Sequence, residues 1–382
     1  MKKFLKKASS LLAIPMILAS LGTSTAFAQD KEVITLWAGG SDNVRLVYES
    51  LEEAFDNSEY GEQYDLEVQF ILSGTGAQGL RDRIIAAKLA GETETDYNII
   101  EIGADEYAAY VSQGGEDFFS PIDFSKVPNS ENVQAEVAEG SEYLVPFRGT
   151  TVVLAYDEER VENVPTTFDE LYTWIEENPG RFAYNTPGSG GAGSSFVTTA
   201  VYNFLPEEAL TSSDEAWMDE WTEGFDLMKE LHPNLYQSGG QTIYPNKNQG
   251  TIDLLVDQQV DMIPAWADMI ISQINQGILP ETTKITQLDP GFTGSLMTYA
   301  LPSIGGQPEG AYAFMDFVLS PEAQQIMLDE MAAIPLIDSS DFDSENAALL
   351  ENLPVDAFRR GSLGELGGLL NEKWDAEIGT LE

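Results

Sequence analysis

The sequence predicts an α/β protein of two lobes, each a mostly parallel sheet flanked by helices. Three observations carry that prediction. Short apolar runs alternate with helical periodicity, and each run closes on Gly or Ser, the rhythm of strand–turn–helix units in a parallel sheet. That rhythm stops at an extended stretch, residues 143–156, and then restarts. The chain beyond its first 28 residues also has about 350 residues, more than one hydrophobic core usually serves.

Residues 1–28 are set apart. Lys2, Lys3, Lys6 and Lys7 form a positive start, Leu11 to Ala19 an apolar run, and Ala26-Phe27-Ala28 puts small residues where a signal peptidase reads. The run is too short to span a bilayer. The pattern therefore predicts a signal peptide cleaved before Gln29 and a periplasmic or secreted product. The chain has no cysteine. That excludes disulfides, thiolate metal sites, a cysteine nucleophile and the lipid-bearing cysteine of many exported proteins, so no lipid anchor is expected.

Val33 to Ala38 reads as a buried strand ending in Gly39-Gly40-Ser41, and Val44, Val47, Leu51, Ala54 and Phe55 then fall at helical spacing. Leu66 to Leu72 reads as a second strand closing on Ser73-Gly74-Thr75-Gly76, with a helix over Leu80 to Ala90. Tyr97 to Ile102 is a third, closing on Gly103-Ala104-Asp105. In such sheets ligands sit beyond the carboxyl ends of the strands. Trp37 to Ser41, Ser73 to Gly76 and Gly103 to Glu106 are therefore expected around one crevice.

Tyr143 to Tyr156 reads as a crossing between lobes. After it, Thr167 and Glu170 open a helix in capping style, Arg181 to Asn185 reads as a strand, and a helix is expected from Phe196. Val260 to Pro264 is a short strand with Trp266 and Asp268 just beyond it and a helix to Gln276. Leu296 to Leu301 reads as a second crossing, and Gly310 to Leu319 and Pro321 to Met331 as helices. The expected organisation puts 29–147 in the first lobe and 148–292 in the second. Residues 293–340 return to the first lobe, and 341–382 form a helical tail.

The charge balance is extreme. Without the four signal lysines, 15 Lys and Arg stand against 64 Asp and Glu, a formal net of −49. The acids are dispersed along the chain, which suits a solvated surface in high salt, where screening weakens self-repulsion. This points to a halophilic or salt-tolerant habitat. It opposes nucleic-acid binding, since phosphate contacts need clustered Lys and Arg.

Several constellations bear on function. Gly74-Thr75-Gly76-Ala77-Gln78-Gly79 matches a dinucleotide fingerprint, but it follows the second strand rather than opening the first unit, so no cofactor is expected. Gly188 to Ser195 resembles a phosphate-cradling loop in which Ser194 stands where a nucleotide-binding lysine would be. What survives is convergent backbone N–H groups at a helix start, suited to a phosphate, carboxylate or hydroxyl, or else a plain surface turn. Trp266 and Asp268 can stack on and pair with a cationic solute, and Trp37 is a similar candidate unless it packs in the core. Arg148 either clamps an anion or ties the lobes together.

Catalysis finds little support. His232 is the only histidine and no serine sits in a G-x-S-x-G elbow. Metal sites lack His and Cys ligands. Paired carboxylates for glycoside hydrolysis stay open, because 64 acids make chance pairs unavoidable.

Val33 to Gly40 (VITLWAGG), Val145 to Asp157, Gly180 to Ser195 and Ala311 to Met327 with its LSPEAQ segment resemble the bacterial extracellular solute-binding proteins of ABC importers. Asn178-Pro179-Gly180-Arg181-Phe182 and LSPEAQ look closest to the YnjB-like branch, relatives of thiamine- and polyamine-binding proteins. The resemblance implies a two-lobed periplasmic-binding-protein-like fold (type II) whose hinge crossings close the lobes over a small solute. It implies ligand loops at Trp37, Gly39, Gly40 and Ser41; Ser73, Gly74 and Thr75; Phe147 and Arg148; Gly190, Gly191, Ala192, Gly193 and Ser194; and Trp266 and Asp268. The implied partners are a thiamine-like, polyamine or other organic solute and a membrane ABC permease, with the chain itself a monomer and not an enzyme. An extracellular hydrolase on a similar scaffold and a receptor subunit reporting to a sensor are the alternatives.

Overall fold

Residues 31–72, 79–350, 353 and 359–381 are described by a computed structural model of the protein. In Glu32–Gly40 (β1) the alternate residues Ile34, Leu36 and Ala38 are completely buried on one face of a sheet, and Thr35 is buried on the other. β1 pairs in parallel with Tyr64–Leu72 (β2) along its whole length and with Ile99–Gly103 (β3) on its other side. The crossover helix Asp42–Asn57 (α1) turns Val44, Val47, Tyr48, Leu51 and Phe55 inward, the face its helical spacing predicts. Leu80–Leu89 (α2), Tyr107–Gly114 (α3) and the short Phe119–Ser120 (β4) complete this part.

Leu144–Asp157 (β5) is the strand that joins the halves. It is buried almost throughout, because both faces are covered. The next elements are Phe168–Glu177 (α4), Gly191–Tyr202 (α5) and Thr222–Leu231 (α6). They are followed by the hairpin Gln237–Ser238 (β6) and Gln241–Thr242 (β7), then Lys247–Val256 (α7). Met262–Trp266 (β8) runs directly into Ala267–Asn275 (α8), and Thr283–Thr286 (β9) follows. The chain then returns through Thr293–Pro302 (β10), Glu309–Val318 (α9), Pro321–Met331 (α10) and Ile334–Pro335 (β11). Glu345–Leu350 (α11), Arg359–Arg360 (β12) and Leu366–Glu377 (α12) end it.

The sheet order is β11-β5-β10-β3-β1-β2, with β8 and β9 also pairing β5. Residues 144–151 of β5 pair antiparallel with β10, whereas Val152 to Asp157 pair with β8 and β9. One strand thus serves both lobes, as a crossing should. Two apolar cores lie on either side of it. Phe55, Phe314 and Phe317 meet edge-on in the first; Tyr184, Phe196, Trp221, Phe225 and Trp374 fill the second.

Leu296 to Leu301 lies inside β10, which starts beside Ser195 and pairs with β5 and β3. The structure departs from the sequence reading in two places. Arg181 to Asn185 makes only one parallel bridge, Phe182 to Met262. The helix expected from Phe196 starts at Gly191. Glycine's helix penalty of about 1 kcal/mol per residue argues against that start, but packing overrides it. Asn248 Oδ1 accepts from the Ala192 N–H at 3.1 Å, and a Cβ on Gly193 would stand 2.0 Å from the Asn185 carbonyl oxygen. Gly193→Ala should therefore displace α5 and cost roughly 1–3 kcal/mol in a urea melt, since a backbone oxygen cannot rotate away.

His232 offers a clean test of the second core. It is buried, with Nδ1 2.9 Å from the Tyr244 hydroxyl, and burial lowers its pKa. The neutral ring is favoured in the folded chain, so its contribution is complete above about pH 6.5. That contribution is lost as pH falls toward the lowered folded value, because the unfolded chain takes the proton first. An NMR titration of this only histidine should give a midpoint below 6.5; a midpoint at or above it contradicts the packing.

Candidate functional site

The strand ends converge where β5 passes from one ladder to the other. Gly39 and Gly40 end β1 and Ser41 follows it, while Asp105 and Glu106 follow β3. Gly191 opens α5, Trp266 and Asp268 join β8 to α8, and together with Arg148 they enclose a cavity of about 300 Å³. Both lobes contribute to it. Asn43, the second residue of α1, donates from Nδ2 to Asp268 Oδ2 at 3.0 Å and so bridges the two sides.

Arg148 forms the floor. Its Nη2 donates to Glu101 Oε1 at 2.8 Å, and both side chains are buried. Burial alone would lower the Arg148 pKa, but Glu101, Tyr48 and Asp268 together hold it raised. Burial raises the Glu101 carboxyl, partly offset by Arg148 and the Tyr48 hydroxyl. The guanidinium charge is thus largely cancelled by Glu101.

The remaining charge is acidic. Asp268 is 7 % exposed, and its Oδ2 accepts from Asn43. Burial raises its carboxyl, against the pull of Arg148, Asn43 and the Asp268 and Met269 backbone N–H groups at the start of α8. Asp105 reaches solvent through the cleft mouth but is walled in by protein, which raises its carboxyl too, while Ser295 Oγ donates to it. Glu106 is raised by burial and by Asp105, and it accepts from the Gly103 N–H at 3.1 Å.

Two larger cavities flank the central one. That of about 760 Å³ is lined by amides and hydroxyls such as Ser189, Asn248, Gln249 and Gln273, with Asp42 and Lys247 the only charges among its described residues. That of about 590 Å³ shares Asp105, Glu106 and Trp266 with the centre and is closed by the C-terminal residues Glu365, Asn371 and Glu372.

Of the expected site residues, Gly39, Gly40, Ser41, Arg148, Gly191, Trp266 and Asp268 meet at the central cavity. Gly190 and Ser194 line the amide-rich one. Four do not face any of the three. Phe147 is core, stacked on Tyr299 at 4.1 Å, because β alternation sends it away from Arg148. Trp37 packs against Tyr97 at 5.1 Å. Ala192 is buried in the second core, and Gly193 lies against Asn185. Ser73, Gly74 and Thr75 fall outside the described residues. Sequence reasoning missed Asn43, Glu101, Asn248 and the tail residues. Glu101 carried a signal: an acid between Ile100 and Ile102 in a buried strand needs a cationic partner.

Among the described residues no three His, Asp or Glu side chains gather as a metal would require, and no helix is long and apolar enough to cross a membrane.

No curated protein matches the chain. Solved structures match its fold at low identity. An ABC transporter protein from Clostridium perfringens has a TM-score of 0.66 at 14% identity, covering 91% of this chain and 100% of that one. A periplasmic thiamin binding protein has a TM-score of 0.65 at 14% identity, covering 91% and 96%. The spermidine/putrescine substrate-binding protein PotD from Streptococcus pneumoniae has a TM-score of 0.66 at 14% identity, covering 91% and 99%. The family model for bacterial extracellular solute-binding proteins matches residues 58–351, which hold every strand from β2 to β11 and the cleft residues Asp105, Arg148, Trp266 and Asp268. A two-lobed α/β fold with a polar cavity at its crossing strand, matched over most of its length by that model, makes this chain a member of the bacterial extracellular solute-binding protein family.

Proposed function

We propose that the cleft captures one small polar organic solute per chain and that the closed form hands it to an ABC-type permease. The observation that carries this reading is the convergence of residues from both lobes on one cavity, bridged by Asn43 and Asp268. Closure then buries the solute, and docking on a permease releases it by favouring the open form. A thiamine-like or polyamine solute fits the relatives named above. The chain acts as a monomer, freed of its signal peptide before Gln29 and without a lipid anchor.

A thermal-shift screen in high salt tests this. A ligand at a hundred times its Kd stabilises the folded form by about 2.7 kcal/mol, so a thiamine, polyamine or sugar panel should yield a clear rise in melting temperature. A shift with inorganic anions alone, or turnover of the bound compound, contradicts the reading.

The dispersed acids support work in a saline habitat. Melting temperature should rise steadily as NaCl goes from low to molar concentration, because screening relieves repulsion among 64 carboxylates. A flat salt profile would remove the halophilic part of the proposal.

A further inference from the structure

Resting on that reading for its purpose, we propose that residues 359–365 form a releasable clasp between the lobes, with Arg360 as a positioning residue. The clasp is fixed to the second lobe and only lightly held by the first, and it sets how wide the empty cleft stands.

The firm end lies on the second lobe. Arg359 donates from Nη1 to Asn203 Oδ1 at 2.6 Å and from Nη2 to Glu207 Oε2 at 3.1 Å. The Ser362 N–H donates to the Leu210 carbonyl oxygen at 2.9 Å, and a Cβ on Gly361 would stand 3.3 Å from that same oxygen. Just beyond, Leu366, Leu370 and Trp374 are buried in the second core. Apolar burial and a backbone bond hold this end, so it moves with the second lobe.

The other end is different. β12 pairs with the first residues of β10, and strand alternation sends the two neighbouring arginines opposite ways. Arg360 therefore reaches the first lobe, where its Nη1 donates to the Glu136 carbonyl oxygen at 2.7 Å. Ser362 Oγ donates to Glu139 Oε2, and Ser112 Oγ to Glu365 Oε1, both at 3.4 Å. Val137, beside Glu136, packs against Ile84, Ile100 and Phe118, which ties this stretch to the first lobe. All three cross-lobe bonds are exposed, and each is worth little by itself. Charge adds to them: Arg360 is the one cation among the described residues around a cavity of about 660 Å³ whose acids are Asp105, Glu136 and Glu139. Gly361 lines both this cavity and the one of about 590 Å³, so the clasp is the wall between them. Three weak bonds bias an equilibrium several-fold without locking it, which suits a cleft that must reopen.

Pulsed-dipolar EPR reads the distance between the lobes. The chain has no cysteine, so Glu53→Cys in α1 and Glu176→Cys in α4, both exposed, place one spin label on each lobe. In the solute-free mature chain, Arg360→Ala/Ser362→Ala should raise the share of the wide form roughly three- to tenfold. Arg360→Lys, which keeps a charge and a donor, should stay close to wild type. The urea midpoint should not move, because these side chains lie outside both cores. A distance distribution identical to wild type in the double variant overturns the clasp. A lower urea midpoint with unchanged distances overturns it too, since the contacts would then be merely structural. The measurement uses no solute, so a failed thermal-shift screen counts against capture alone, and the distances decide the clasp.

Discussion

Replacing Arg148 by methionine is expected to lower unfolding free energy by about 3–5 kcal/mol, because it leaves a buried carboxylate without its counter-charge. Glu101 is buried, and its Oε1 accepts from Arg148 at 2.8 Å. The Tyr48 and Tyr299 hydroxyls pair with each other at 3.0 Å, and the one proton left over can hydrogen-bond the carboxylate but cannot neutralise it. The pair also sits where β5 leaves one ladder for the other, so its loss should loosen the crossing as well as the floor of the cleft. Two controls sharpen the result. Glu101→Leu added to Arg148→Met removes the stranded charge and should restore most of the loss, since buried pairs replaced by apolar residues are often neutral. The deficit of the single variant should also shrink on acidification. Burial already holds the Glu101 carboxyl above its ordinary range, and losing Arg148 raises it further, so the tolerated neutral form is reached sooner as pH falls. Urea melts across pH read both effects.

Trp374→Ala should cost a further large amount, about 3–5 kcal/mol, as a fully buried aromatic removed from a packed core. The indole sits edge-on to Tyr244 at 4.8 Å, and its Nε1 donates to the Tyr184 hydroxyl at 3.0 Å. It is the anchor by which α12 is held to the second core. The same helix carries Asn371 and Glu372 into the cleft wall. The variant should therefore lose solute affinity along with stability. Trp374→Phe, which keeps the ring packing but drops the donor, should lose much less of both.

Much of this arrangement was legible in the sequence. The first three strands show because their alternation and their Gly and Ser endings are local properties, and those endings led directly to Gly39, Ser41 and Asp105. Trp266 and Asp268 were visible for the same reason. What failed needed information about facing. Phe147 and Arg148 are adjacent, yet a strand sends neighbours to opposite faces, so only one of them could reach the cleft. Trp37 shares a face with Gly39 but lies a full pleat upstream, under Tyr97. The glycine run concealed the start of α5, since the contacts that favour helix there come from Asn185 and Asn248, which are distant in sequence or in a different element. The tail was opaque because its Leu, Gly and acidic residues form no long periodic pattern; only Trp374 hints that it docks.

The most direct test of solute capture by the cleft is the affinity of wild type and Asp268→Asn for whichever organic solute gives the largest melting shift. The account predicts one solute per chain, recovered chemically unchanged, with affinity at least tenfold weaker in the variant. Equal affinity in the two proteins would place the solute elsewhere and contradict capture between the lobes.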